Sequence, residues 1–246
     1  MPDLLHAPIA PPAPTVQNWP GYTDEEHAVW ATLYRRRMPE LRRTASRVFL
    51  DGADAIGLES ECIPDLGVLN RRLARRTGWR AVPVSGFLPA SEFFQSLARR
   101  EFPTTVTIRP GDRLDYVPEP DIFHDVFGHV PLHADPVFAD FLQQFGAVAA
   151  RSTDPARTER LARLFWFTVE FGLIMERHGV RAYGSGLISS HADAANALGP
   201  QCEHRPFVLE QVLDQPFKID ELQPVLFVVL GFDQLFDAVA TLWRDA

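Results

Sequence analysis

The stretch PEPDIFHDVFGHVPL, residues 118–132, sets two histidines, His124 and His129, between Pro120 and Pro131, with Gly128 directly before the second. Five residues correspond to a rotation of about 140° on an ideal helix, so an unbroken α-helix cannot turn both imidazoles toward one metal. A helix that begins near Pro120 and stops at Gly128, a residue suited to a left-handed terminal conformation, frees His129 to swing back toward His124. The spacing therefore predicts a two-histidine metal grip. The plainer reading, helix-end histidines bonded to backbone, stays open on spacing alone. A third ligand is sought on the next strongly apolar segment, FWFTVEFGL at 165–173, where Glu170 is the one charged residue among eight uncharged neighbours. An ionised carboxylate in such a setting costs several kcal/mol unless a cation compensates.

Two histidines and one carboxylate, with no thiolate, form a hard-to-borderline donor set. With positions left open for oxygen and substrate, that set is the facial triad of non-haem Fe(II) oxygenases. A zinc hydrolase can use the same ligands, but HDVFGH lacks the HExxH arrangement that places a general base beside the first ligand. A non-enzymatic binding or regulatory protein, stapled by its metal, also remains.

Composition narrows the partners. The chain has 246 residues, 46% of them hydrophobic, enough for a substantial single core. Its formal charge of -8 argues against nucleic acid or anionic membrane as the main partner. No apolar stretch approaches the length of a membrane span, and no signal peptide is visible. The arginine clusters sit at helical spacing and read as solvated faces. Cys62 and Cys202 lie far apart without metal spacing, so two reduced thiols in a cytoplasmic protein are expected.

The elements around the histidine segment follow from local signals. Residues 7–20 hold five prolines among small residues and predict a flexible N-terminal arm, 1–20, with the catalytic domain at 21–246. Thr23 and Glu26 form a capping box for a helix marked by Trp30, Leu33 and Tyr34 and ending near Arg37. Pro39 suits the first turn of a second helix, and a third spans about 65–76. Short strands are predicted at 79–84 and 104–109 around a helix centred on Phe94. The loop SGFLPASEF at 85–93 combines glycine, proline and aromatics, as pocket-lining loops do. Asp135 with Pro136, and Asp154 with Pro155, open two long helices at 135–150 and 155–178. Trp166 and Glu170 share a face of the second. A strand at 224–230 and a helix at 232–244 complete a fold that is mainly α with short β-strands (α+β).

PEPDIFHDVFGHVPL, then WFTVEFGL at 166–173, then AYGSGLISS at 182–190 resemble, in order and separation, the three signature segments of the pterin-dependent aromatic amino acid hydroxylases. The resemblance runs from about residue 20 to 244 and is strongest toward short bacterial phenylalanine-hydroxylating members. It implies one catalytic domain of the aromatic amino acid hydroxylase type. Such a domain hydroxylates L-phenylalanine to L-tyrosine with O2, using Fe(2+) held by His124, His129 and Glu170 and tetrahydrobiopterin or a related tetrahydropterin. Tryptophan or tyrosine as substrate is the alternative within the family.

By the same resemblance Phe93 stacks on the pterin, with Gly86, Phe87, Leu88 and Ala90 at its edges and Asp125 close by. Ala90 stands where some relatives have serine, so no side-chain hydrogen bond is expected there. Arg109 would hold the substrate carboxylate through its guanidinium fork. Ser189 would help at the same end, Trp166 would face the substrate ring, and Val117 replaces a threonine of animal members. From the residues alone, Phe93 and Trp166 also suit plain core packing, Arg109 a surface turn, Ser189 a helix cap and Asp125 an exposed helix acid. Without a heptad tail or an extra N-terminal regulatory domain, a monomer is expected.

Overall fold

The computed structural model describes residues 15–86, 88–115 and 119–244. Thr23 caps the first helix as its sequence predicts: its hydroxyl accepts from the Glu26 amide, and the Glu26 carboxylate accepts from the Thr23 amide. That helix, α1, spans Asp24–Thr44 and carries Pro39 in its interior instead of yielding to a second helix there. A mid-helix proline removes one ladder bond at a cost of about 3 kcal/mol. Trp30, Leu33, Met38 and Leu41 are buried along one continuous face on both sides of it, and that burial outweighs the loss. Ser46 caps α2, Arg47–Ile56, and Asp65 caps α3, Leu66–Arg76.

The packed chain begins earlier than the expected boundary at residue 20. Gln17 donates to the Pro64 carbonyl and accepts from the Leu66 amide, and the Trp19 indole donates to the Ile63 carbonyl. Residues 1–14 of the expected arm lie outside the described residues.

Strand β1, Arg80–Val84, helix α4, Ala90–Ala98, and strand β2, Glu101–Thr105, form a parallel crossover unit with Arg80 paired to Glu101 and Val84 to Thr105. The second strand thus starts before the expected 104–109 segment and shares only Thr104 and Thr105 with it. Residues 106–109 are drawn instead toward the histidine segment, where the Ile122 amide donates to the Thr107 carbonyl.

Phe123–His129 is a π-helix that continues into a 3-10 turn, Val130–Ala134, followed by α5, Pro136–Ala149, and α6, Pro155–Phe165. Beyond α6 the chain widens again into a π-helical turn, Trp166–Glu170, closed by a bond from the Phe171 amide to the Trp166 carbonyl five residues back. The helix expected to reach 178 therefore ends at Glu170. Residues 173–182 form an antiparallel hairpin, β3 (Leu173–Glu176) and β4 (Gly179–Ala182).

Two short helices follow, α7 (Ser185–Ser189) and α8 (His191–Ala197), then β5 (Glu203–Pro206), α9 (Leu209–Asp214), β6 (Val225–Val229) and α10 (Phe232–Arg244). The larger sheet has the order β4-β3-β6-β5, with β6 parallel to both neighbours. The expected helix-rich α+β architecture is what the structure shows. Among the described residues no helix is long and apolar enough to cross a membrane.

The histidine segment runs through the middle of the core. Phe123 stacks on Phe127 at 4.5 Å, and Trp30 meets Phe123 edge-on at 5.3 Å. Those rings are fully buried, so the apolar side of the π-helix is anchored and its opposite side is left to carry chemistry.

Candidate metal centre

The expected break at Gly128 does not occur, and the π-helix does the same work by another route. Its i→i+5 ladder brings residues five apart into register, so His124 and His129 project from one face with their Nε2 atoms 3.3 Å apart. Gly128 matters for a different reason. A Cβ there would lie 3.0 Å from the Ser185 carbonyl oxygen and 3.2 Å from Ser185 Cβ, so glycine is what lets α7 press against the π-helix.

Glu170, at the end of the second π-helical turn, closes the triangle: its Oε1 is 3.2 Å from His129 Nε2 and its Oε2 3.6 Å from His124 Nε2. Among the described residues this is the one group of three metal-ligating side chains, all mutually within 4.8 Å. A first-row metal with bonds of about 2.1 Å spans ligand edges of about 3.0 to 3.4 Å, depending on geometry; the two separations to His129 fall in that range and the third, 3.6 Å, is slightly wider. The protonation pattern agrees. Ser189 Oγ donates to the Ser185 carbonyl at 2.8 Å, so it accepts from His124 Nδ1 at 2.9 Å. The hydrogen of His124 is thereby placed on Nδ1, and Nε2 presents a lone pair to the triad centre. Burial works to raise the Glu170 carboxyl, yet the facing imidazoles of His129 and His124 and the hydrogen bond from the Ser185 hydroxyl hold it down at about 2. It is ionised at neutral pH, and the three donors fit a divalent metal.

Several groups that sequence reasoning missed hold these ligands. Asp121, buried, accepts from the His124 amide at 3.0 Å and caps the start of the histidine segment. It also accepts from Arg109 Nε at 2.8 Å and Nη2 at 2.9 Å. Burial opposes the charged form of Asp121, but Arg109 prevails and draws its carboxyl below the usual carboxylate range. Arg37, buried on α1, donates to the carbonyls of Ile188 and Leu187, each at 2.9 Å, and so clamps the end of α7. An aspartate directly after Pro120 was a readable capping signal. Arg37 lies about 150 residues from its acceptors and had none.

Two cavities meet at the triad. One, of about 590 Å³, is lined by Arg109, Trp166, Phe171 and Ser189 together with His124 and Glu170. The other, of about 420 Å³, is lined by Gly86, Leu88, Ala90, Phe93, Thr105 and Asp125, and reaches all three ligands. Phe93 meets Phe94, Phe102 and Phe165 edge-on at 5.6–6.0 Å, so it is core on one side and cavity wall on the other. Asp125 is not an exposed helix acid. It is buried and accepts from the Thr105 amide and hydroxyl, both at 2.7 Å. Trp166 is stacked between Phe171 and Phe217 at 4.6 and 4.5 Å.

Arg109 is no surface residue either. Asp121 occupies one edge of its fork and the Leu114 carbonyl binds Nη1 at 3.1 Å, while the residue still lines the larger cavity. Ser189 is bonded to His124, and the cap of α8 is its neighbour Ser190. Phe87 and Val117 lie outside the described residues.

Residues 11–243 match the family of biopterin-dependent aromatic amino acid hydroxylases. The chain belongs to that family. This hydroxylase is 46% identical over 214 residues to the phenylalanine-4-hydroxylase of Caulobacter vibrioides, covering 87% of this chain and 73% of that protein. It is 42% identical over 220 residues to that of Chromobacterium violaceum, covering 89% and 74%. A crystal structure of the Chromobacterium violaceum enzyme with bound oxidised Fe(III) superposes with a TM-score of 0.90 at 39% identity, covering 94% of this chain and 86% of that one. Another, with iron(III) and 7,8-dihydrobiopterin, gives 0.89 at 40% identity and covers 94% and 85%. The hydroxylase is thus an iron- and pterin-dependent oxygenase, which sets aside the zinc hydrolase and the metal-stapled binding protein.

Proposed function

We propose that this hydroxylase converts L-phenylalanine to L-tyrosine with O2 and a tetrahydropterin, at Fe(II) held by His124, His129 and Glu170. The observation that carries the reading is the junction of two cavities at one open-faced triad, one wall bearing Arg109 and Trp166, the other Phe93 and Asp125. Bound iron supplies the site for dioxygen activation, and the pterin supplies two electrons, so that one oxygen atom enters the ring and the other is reduced.

The chain's own residues position the reactants. The remaining donors of Arg109 hold the substrate carboxylate, with its orientation set by Asp121. Trp166, fixed between two phenylalanines, walls the ring. Phe93 offers a face to the pterin, Gly86, Leu88 and Ala90 line its edges, and Asp125, held by Thr105, stands beside it. Ser189 acts through His124 as well as at the substrate end. The unbridged thiols of Cys62 and Cys202 support a reducing, cytoplasmic setting, and the monomeric state expected from sequence is kept as part of this reading.

The test is anaerobic reconstitution with Fe(II), then oxygen, a tetrahydropterin and each of L-phenylalanine, L-tyrosine and L-tryptophan, with products identified by mass and ring position. The expected outcome is tyrosine from phenylalanine only when iron and pterin are both present. Hydroxylation of tryptophan or tyrosine in preference would reassign the substrate.

A further inference from the structure

We propose that Ser185 is a positioning residue for the metal: its hydroxyl grips Glu170 Oε2 and sets the carboxylate toward the two histidines. This rests on the reading of His124, His129 and Glu170 as the iron ligands. Ser185 opens α7 and is fully buried. Two acceptors lie within its reach, Glu170 Oε2 at 2.7 Å and the Val169 carbonyl at 3.3 Å. The nearer and charged one takes the hydrogen, because bonds to ionised acceptors are shorter and stronger. The other close polar neighbours of the carboxylate are the histidine ligands themselves. Ser185 is therefore the group among the described residues that donates to Glu170 without being a ligand.

The hydroxyl is delivered from a rigid backbone. A Cβ at Gly184 would lie 2.4 Å from the Glu170 carbonyl oxygen and one at Gly186 3.1 Å from it, so both neighbours of Ser185 are packed against the residue it holds. Gly128 packs against Ser185 from the other side. The Ser185 carbonyl accepts from Ser189, which in turn holds His124. One short helix thus touches a ligand on each π-helical segment, and the Ser185 hydroxyl is the arm that reaches Glu170. Without it Oε2 loses a charge-assisted bond and the carboxylate gains rotational freedom that metal binding must then remove. Hydrogen-bond partners of metal ligands typically change metal affinity by about 10- to 100-fold.

The experiment compares wild type and Ser185→Ala as apoproteins titrated anaerobically with Fe(II), and separately with Co(II), against a competing chelator. The visible absorption of the Co(II) forms and the melting temperature of the apoproteins are recorded alongside. The expected result is a dissociation constant raised about 10- to 100-fold and an altered Co(II) band, with the apoprotein melting temperature little changed. Affinities within twofold and an unchanged band would overturn the proposal. Should Ser185→Ala not fold, Ser185→Gly removes the same hydroxyl and is judged by the same two readouts. A wild type that forms no hydroxylated product, while the variant still loses metal affinity, would sink the assigned reaction and support Ser185. A wild type that hydroxylates, beside a variant of undiminished affinity, would do the reverse.

Discussion

His124 and His129 face each other across one turn of π-helix, their Nε2 atoms 3.3 Å apart, and Gly128 between them lets α7 lie directly against that turn. The widened helix, and not a chain break, makes the pair bidentate. The same short helix touches both π-helical segments that carry ligands.

Gly128→Ala tests this arrangement. In a helix interior alanine gains up to about 1 kcal/mol over glycine, but the new methyl presses on the Ser185 backbone, and overpacking of this kind costs about 1–3 kcal/mol. A net loss of up to about 2 kcal/mol is expected by denaturant unfolding, together with weaker iron binding as α7 is pushed outward. A variant that is more stable and binds iron as well as wild type would remove the close approach from the account.

Arg109 and Asp121 are joined by a buried two-pronged ion pair, so Arg109→Ala acts in two ways. It should raise the apparent constant for phenylalanine about 10- to 100-fold, the worth of a charge-assisted contact. It also strands Asp121 as a buried charge, at about 3–5 kcal/mol of stability. Steady-state kinetics with each reactant varied in turn separate the assignments: equal rises for phenylalanine and pterin would count against Arg109 as the carboxylate anchor.

Acid should release the same pair. The folded-state Asp121 carboxyl titrates below its ordinary 3.8. Its contribution to stability is therefore full above the unfolded value and lost as pH falls through the folded one. In urea unfolding from pH 6 down to about 2.5, the gap between wild type and Asp121→Asn should narrow below about pH 3.8. A gap that stays constant across that range would mean the pair does not titrate as described.

Phe93→Leu keeps apolar volume against Phe94, Phe102 and Phe165 but removes the aromatic face turned to the smaller cavity. Aromatic stacking is worth about 0.5–1.5 kcal/mol beyond area, so the apparent pterin constant should rise roughly 2- to 10-fold with the phenylalanine constant nearly unmoved. An equal change in both, or in neither, would reduce Phe93 to a core residue.

The sequence by itself determined whatever depends on near neighbours. The Thr23–Glu26 capping box, the acid and proline starts of α5 and α6, the helix-rich class and the identity of the three ligands were all readable. Each rests on a local period, a local cap or an unusual residue in an apolar run. The tertiary structure alone decided how those ligands converge. Pro39 stays inside α1 because a continuous buried face overrides a local penalty, and residues 173–182 leave the helical pattern because β6 is there to pair with β3. The Ser185 bond to Glu170 and the Arg37 clamp on α7 join segments 15 and 151 residues apart. Such contacts leave no periodic trace in the chain. They exist only once burial has brought the segments together, where an unpaired polar group is costly enough to select its partner.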